Sequence, residues 1–249
     1  MDLELSGKRA LVLGASRGLG AAIAQELMVE GAQVLGVSRS PQDGTDYPMV
    51  AVNLSAPDAA ETILAAAHEQ LGGVDILVNN SGGPPPSAAQ DTGAAAIAES
   101  AQPMLFTLTE VTRALLPAMR EAGFGRILTV TSAGVREPIP GLALSNTIRA
   151  AVHGWMKTLA KEVAADGVTV NMLMPGQIDT DRLRSLHEKT AERFGIPNEA
   201  MVAKAIEGIP AGRFGEPREF GAVAAFLASP RASYLTGLEI PVDGGMLKS

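Results

Sequence analysis

Ala10-Leu11-Val12-Leu13-Gly14-Ala15-Ser16-Arg17-Gly18-Leu19-Gly20-Ala21-Ala22-Ile23-Ala24 is an apolar run, a turn with three glycines and the alanine-rich opening of a helix. This order predicts a strand, a glycine turn and a helix start. Gly14, Gly18 and Gly20 let the backbone turn tightly and let an anion approach the main chain. The helix behind them presents unpaired N–H groups and the positive end of its dipole. The stretch therefore reads as a cradle for the pyrophosphate of a dinucleotide, with Ser16, Arg17 and Leu19 filling the turn. Its spacing is Gly-x-x-x-Gly-x-Gly, whereas the commonest dinucleotide fingerprint is Gly-x-Gly-x-x-Gly.

Outward from the turn, short apolar runs alternate with longer alanine-rich segments of helical period. The runs predict strands over 10–13, 33–37, 49–52, 76–78, 127–130, 168–173 and 238–242. Strands alternating with helices predict right-handed βαβ crossovers. The fold class is α/β, a Rossmann-type doubly wound parallel sheet of seven strands with helices on both faces and ligands at the strand C-terminal ends. Residues 1–249 form one domain. The candidate functional residues follow strands: 14–20, Arg39, Asn53, 79–83, 131–132 and 175–180. Pro84-Pro85-Pro86 reads as a stiff loop of polyproline II type.

The 249 residues are 46% hydrophobic and carry a net charge of −7 without a dense Lys/Arg cluster. That composition excludes a nucleic-acid or anionic-membrane surface as the main binding mode. No cysteine is present, and His68, His153 and His187 are scattered, so no metal site is expected. The acidic N-terminus and the short apolar run behind it give no export or membrane signal, which predicts a cytoplasmic protein.

With these residues in view, the chain closely resembles the short-chain dehydrogenase/reductase family, especially its 3-oxoacyl-acyl-carrier-protein reductase-like members. The resemblance runs from Leu5 to Gly245. It rests on Gly14-x-x-x-Gly18-x-Gly20, on Asp75-Ile-Leu-Val-Asn-Asn-Ser-Gly82, on Gly125-Arg-Ile-Leu-Thr-Val-Thr-Ser132, and on Val170-Asn171 leading to Pro175-Gly176. Ile178-x-Thr180 and the tail from Ala232 through Gly237 to Val242-Asp-Gly-Gly245 complete it. Ser81 stands where the family usually has alanine, and Gly83-Pro84-Pro85-Pro86 is unusual.

The family carries a catalytic Asn-Ser-Tyr-Lys tetrad, and three of its four members are replaced here. Ser132 fills the serine position, but the tyrosine position holds Ser145, the lysine position Arg149 and the asparagine position Met104. In the family the tyrosine hydroxyl protonates the carbonyl oxygen as hydride arrives, and the lysine lowers its pKa toward working pH. A serine hydroxyl is far less acidic and reaches less far, so Ser145 is expected to orient a water. Arg149, one helical turn further, stays protonated and is suited to ribose hydroxyls or an oxyanion. Tyr47, before the third strand, and Tyr234, in the tail, are poorly placed as substitutes. His153 reads as a packed structural residue, and Lys157 and Lys161 face solvent or a partner.

The end of the second strand, Ser38-Arg39-Ser40, lacks the carboxylate that an NAD-selective site places there. Arg39, aided by Arg17, Ser16 and Ser38, offers a fork and hydroxyls for a 2′-phosphate, so NADP(H) is expected before NAD(H). The resemblance implies that Asn53 and Leu54 flank the adenine, that Asn80, Ser81 and Gly82 run along the ribose, and that Ile178 and Thr180 meet the nicotinamide amide. Pro175-Gly176 supplies a bend.

The segment 181–208 matches the family's variable lid, lined by Arg182, Arg184 and Met201. Residues 135–144 form the facing wall, with Arg136 a candidate for an anionic group. Helices over 94–121 and 147–165 are apolar on more than one face, so a homotetramer is expected, a homodimer next. The leading reading is an NADP(H)-dependent oxidoreductase acting on a small-molecule carbonyl or alcohol with a non-standard proton donor. The second is a member that binds a dinucleotide or small ligand without turnover, as a sensor or assembly subunit. A third is elimination or isomerisation with the same cofactor.

Overall fold

A computed structural model describes residues 2–42 and 44–247. All seven expected strands form: β1 (Arg9–Leu13), β2 (Gln33–Ser38), β3 (Met49–Ala51), β4 (Ile76–Asn79), β5 (Gly125–Val130), β6 (Val168–Pro175) and β7 (Glu239–Val242). They pair in parallel in the order β3-β2-β1-β4-β5-β6-β7. The strand order reverses between β1 and β4, which is where a doubly wound sheet opens its ligand crevice.

At the opposite, N-terminal end of these two strands Arg9 clasps Asp75. Its Nε and Nη2 lie 2.9 and 2.8 Å from the two carboxylate oxygens, and the Arg9 main-chain N–H donates to the same group at 2.9 Å. Burial alone would raise the Asp75 pKa, but these hydrogen bonds and the Arg9 charge outweigh it and hold the carboxyl below its ordinary value.

Side chains alternate across the sheet, as strand geometry requires. Ala10 and Val12 of β1 join one core with α1 (Gly18–Val29) and α8 (Pro217–Ala228), in which Ile23, Leu27, Phe220 and Ala224 are buried. Leu11 and Leu13 face the other core, formed with α2 (Ala59–Leu71), α4 (Thr107–Glu121) and α5 (Ala143–Val163) through Ile63, Val111, Val152 and Met156. Gly221 permits close contact of α8 with α1, because a Cβ there would sit 2.6 Å from the Ala22 carbonyl oxygen.

The single helix expected over 94–121 is interrupted. It consists of α3 (Ala94–Ala101), a π turn at Gln102–Phe106, and α4. Pro103 has no N–H to donate and crowds the preceding turn, so the bonds slip outward, and Thr107 N–H reaches back to the Gln102 carbonyl. The segment 181–208, expected as a lid, folds as α6 (Asp181–Phe194) and α7 (Asn198–Glu207).

Candidate functional site

The glycine turn has the geometry its sequence implies. Gly14 and Gly18 adopt φ of +66° and +58°, a region costly for other residues. A Cβ on Gly20 would overlap the Gly14 carbonyl oxygen. Asn80 Nδ2 donates to that oxygen at 3.2 Å, so Asn80 braces the turn with its side chain. Tyr47, remote from the reaction, does the same from the other side: its hydroxyl donates to the Ala15 carbonyl at 2.8 Å. Helix α1 starts at Gly18 with no side-chain cap and no acidic residue in its first turn. Uncapped N–H groups behind a glycine turn fit a pyrophosphate. Ser16 and Leu19 are half-buried along this turn, and Leu19 leans on the core.

At the end of β2, Arg39 is exposed, as is Arg17, and neither has an ion-pair partner among the described residues. Both guanidiniums are therefore available to a 2′-phosphate. Ser38 is not: its Oγ is buried without a hydrogen-bond partner, so it is withdrawn from the phosphate-binding set. Asn53 Oδ1 accepts from Ser55 N–H at 3.1 Å, shaping a turn, and the Leu54 carbonyl accepts from Thr107 Oγ1 at 2.8 Å. The first bond is local, while the second ties the segment after β3 to the start of α4.

After β4, Ser81 is buried, while the position a Cβ would take on Gly82 has no atom within 4 Å. The chain is thus open to a ligand at Gly82. The proline loop then leads to Ser87, which clasps the approach to α5. Ser87 N–H donates to Gly141 O at 2.8 Å, its carbonyl accepts from Ala143 N–H at 3.1 Å, and its Oγ accepts weakly from Leu144 N–H at 3.4 Å. No sequence signal pointed to Ser87, because the clasp joins segments distant along the chain.

Ser132 follows β5, and its Oγ accepts from Gly134 N–H at 3.1 Å. Gly134 lies against Asn146 at the start of α5, so the Ser132 loop and the first turn of α5, with Ser145, meet. Arg149 reaches across from α5 and donates through Nη1 to the Val130 carbonyl at 2.6 Å. Its guanidinium is therefore held two residues from Ser132. Desolvation, and then the like charge of Arg182, lower its pKa to about 10, which leaves it cationic at neutral pH. Met104 is 2% exposed and packs with Ala101 and Ile148. Where the family has a polar asparagine, this chain has an apolar plug.

Around β6 and the lid several expectations change. Pro175 ends β6, and Gly176 is required because a Cβ would sit 2.5 Å from Asp243. Its role is the close approach of β6 to the segment after β7. Ile178 is buried in the α1/α8 core, so its main chain alone can meet a nicotinamide. Thr180 caps α6: its Oγ1 accepts from Leu183 N–H at 3.3 Å, while its side chain faces Gly18 across the crevice.

Arg184 does not line the lid, being tied to Asp179 and Asp181 at 2.9 and 3.2 Å. Arg136 turns to the sheet edge, 3.4 Å from Glu239 Oε2, and is corrected from substrate wall to edge contact. His153 shares that carboxylate, 2.8 Å from Oε1 though out of line for a hydrogen bond, which fits its structural reading. Tyr234 is 99% exposed, and Lys157 donates to the Gly237 carbonyl at 2.8 Å. Arg182, by contrast, crosses to Gly83, where a Cβ would overlap its guanidinium.

Residues 14–247 match the family model described as Enoyl-(Acyl carrier protein) reductase. The chain is 36% identical over 252 aligned residues to the 3-oxoacyl-[acyl-carrier-protein] reductase FabG of Vibrio cholerae, covering 98% of this chain and 99% of that one. It is 34% identical to the FabG of Escherichia coli K12, with the same coverage. Among solved structures it is similar to L-sorbose reductase from Gluconobacter frateurii, complexed with NADPH and L-sorbose. That match has a TM-score of 0.92 and 30% identity, and covers 100% of both chains. It is also similar to YwfH, an NADPH-dependent reductase involved in bacilysin biosynthesis, with a TM-score of 0.90, 28% identity, and 97% and 99% coverage.

Proposed function

The chain belongs to the short-chain dehydrogenase/reductase family of oxidoreductases, and from that premise we propose that it is an NADP(H)-dependent oxidoreductase of small carbonyl or alcohol compounds with a rebuilt proton site. The observation that carries this reading is Arg149 held on the Val130 carbonyl at 2.6 Å, a permanent cation beside Ser132. Ser132 lies in the loop after β5, the glycine turn after β1, and open Gly82 after β4 between them. All three loops leave adjacent strands at the same end of the sheet.

Bound NADPH supplies hydride. Around it, the uncapped start of α1 holds the pyrophosphate, and Arg17 and Arg39 hold the 2′-phosphate. Ser132 donates a hydrogen bond to the substrate oxygen, and Arg149 stabilises the negative charge that develops there. Ser145 positions the water that gives the proton. Fixed geometry preserves part of the rate even though the positioned phenol is absent, a loss on the order of 10²–10⁴. Met104 favours the second reading, cofactor binding without turnover, because it puts a buried apolar side chain at the position of the family's asparagine.

We also place a second copy of the chain on the apolar groove between α3, α4 and α5, where Phe106 is 49% exposed and Ile97 and Trp155 are half-buried. The family-based expectation there is a homotetramer.

The test is titration with NADPH and NADH, followed by the cofactor's own fluorescence. Trp155 lies in the groove, so its emission reports assembly. The expected result is NADPH binding at least tenfold tighter than NADH, with the preference lost in Arg39→Ala. Binding of neither cofactor overturns the oxidoreductase reading.

A further inference from the structure

Two guanidiniums stand over adjacent strand ends: Arg149 on the Val130 carbonyl at the end of β5, and Arg182 beside Gly83 in the loop after β4, with Asn79 of β4 paired to Thr129 of β5. Arg149 has a main-chain carbonyl as its hydrogen-bond partner, and the charge acting on it is that of Arg182. Arg182 has no ion-pair partner among the described residues, although Asp179 and Asp181 are its near neighbours. Both carboxylates are occupied by Arg184, at 2.9 and 3.1 Å to the oxygens of Asp179 and 3.2 Å to Asp181. Arg182 instead spans the crevice to Gly83, a position where a side chain would exclude it.

Two like charges converging on a partly desolvated space repel each other, and a carboxylate between them relieves that repulsion through charge-assisted, fork-matched hydrogen bonds.

We propose that Arg149 and Arg182 together receive a carboxylate of the substrate, so that the compound turned over is an oxo acid or its hydroxy-acid counterpart. This rests on the oxidoreductase reading for the reaction, but not for the binding. Arg149 rests on the carbonyl of Val130, two residues before Ser132, so the compounds to test are those whose reacting carbonyl carbon lies near the carboxylate, the 2-oxo and 3-oxo acids. In the reductive direction that carbon accepts hydride from NADPH, which is oxidised to NADP+. The C–O π pair moves to oxygen, and oxygen takes a proton from water.

The experiment is calorimetric titration of the protein, with and without NADP+, using 2-oxobutyrate and acetoacetate beside the neutral ketones 2-butanone and acetone. NADP+ has no hydride to give, so binding is read without turnover. At least one oxo acid should bind tenfold or more tighter than its neutral counterpart. In Arg182→Gln that preference should fall at least tenfold while the NADP+ affinity stays within twofold, and Arg182→Lys should restore part of it. Equal binding of acids and ketones overturns the proposal. So does a fall in NADP+ affinity with the oxo-acid preference intact, which would assign Arg182 to the cofactor pyrophosphate. An acid preference in a protein that binds neither NADP+ nor NADPH keeps the carboxylate receptor and removes the reductase reading.

Discussion

Ser145 and Arg149 change what this site does with a proton. Serine leaves no acid near neutrality at the position of the family's tyrosine, and Arg149, even with its pKa lowered to about 10, is protonated throughout the physiological range. Between pH 6 and 9 neither side chain changes charge, so Arg149 and Ser145 impose no limb on the rate profile in that window. Replacing both, Ser145→Tyr with Arg149→Lys, should raise turnover of neutral model ketones by about 10²–10⁴ and introduce a pH limb from the new phenol. Steady-state NADPH oxidation across pH checks both. An unchanged rate would mean that the missing acid is not what limits the site. These replacements were legible only through the family resemblance, whose flanking motifs fix the frame in which Ser145 and Arg149 are counted. The partnership of Arg149 with Arg182 was not, since it depends on which neighbour each aspartate binds.

At the scale of elements, α6 of the expected lid is fastened by a titratable side chain. His187 of α6 is 5% exposed, its Nε2 lies 3.1 Å from Gln177 Oε1, and its ring centroid lies 5.4 Å from that of Phe214. Burial lowers its pKa below the ordinary 6.5, so the docked lid carries it neutral. As pH falls from 6.5 through the lowered value, an undocked or unfolded lid takes up a proton that the docked lid refuses, and docking weakens. Hydrogen exchange over 181–194, corrected for intrinsic rates, should therefore speed up between pH 7 and pH 5, and His187→Leu should abolish that dependence.

The strands were readable because their period and length are local properties. The π turn was not, since an apolar helical pattern runs on across Pro103, the residue whose missing N–H starts the slip. Likewise Ser38 looked like a phosphate ligand until the pairing of β2 with β3 buried its hydroxyl.

For the molecule as a whole, the −7 net charge and the cationic crevice are complementary facts. An anion meets overall repulsion from the net negative chain, and on the proposed reading Arg17, Arg39, Arg149 and Arg182 supply the positive field that draws it to the strand C-terminal ends. Assembly is the other property at this scale. Burying an exposed phenylalanine contributes about 1.5–3 kcal/mol. Phe106→Asp should accordingly lower the mass observed by analytical ultracentrifugation while leaving the circular dichroism spectrum intact. Unchanged mass would move the subunit interface elsewhere.

The loop of Gly83 and three prolines, clasped through Ser87 to the approach of α5, has a kinetic consequence. Each proline limits the conformations open to the chain before it folds, and the Ser87 bonds leave the wall beside Ser145 already in place. Ligand arrival on that side needs no loop search. Association should then be governed by diffusion and by motion of the lid opposite, with one wall of the crevice acting as a fixed jaw.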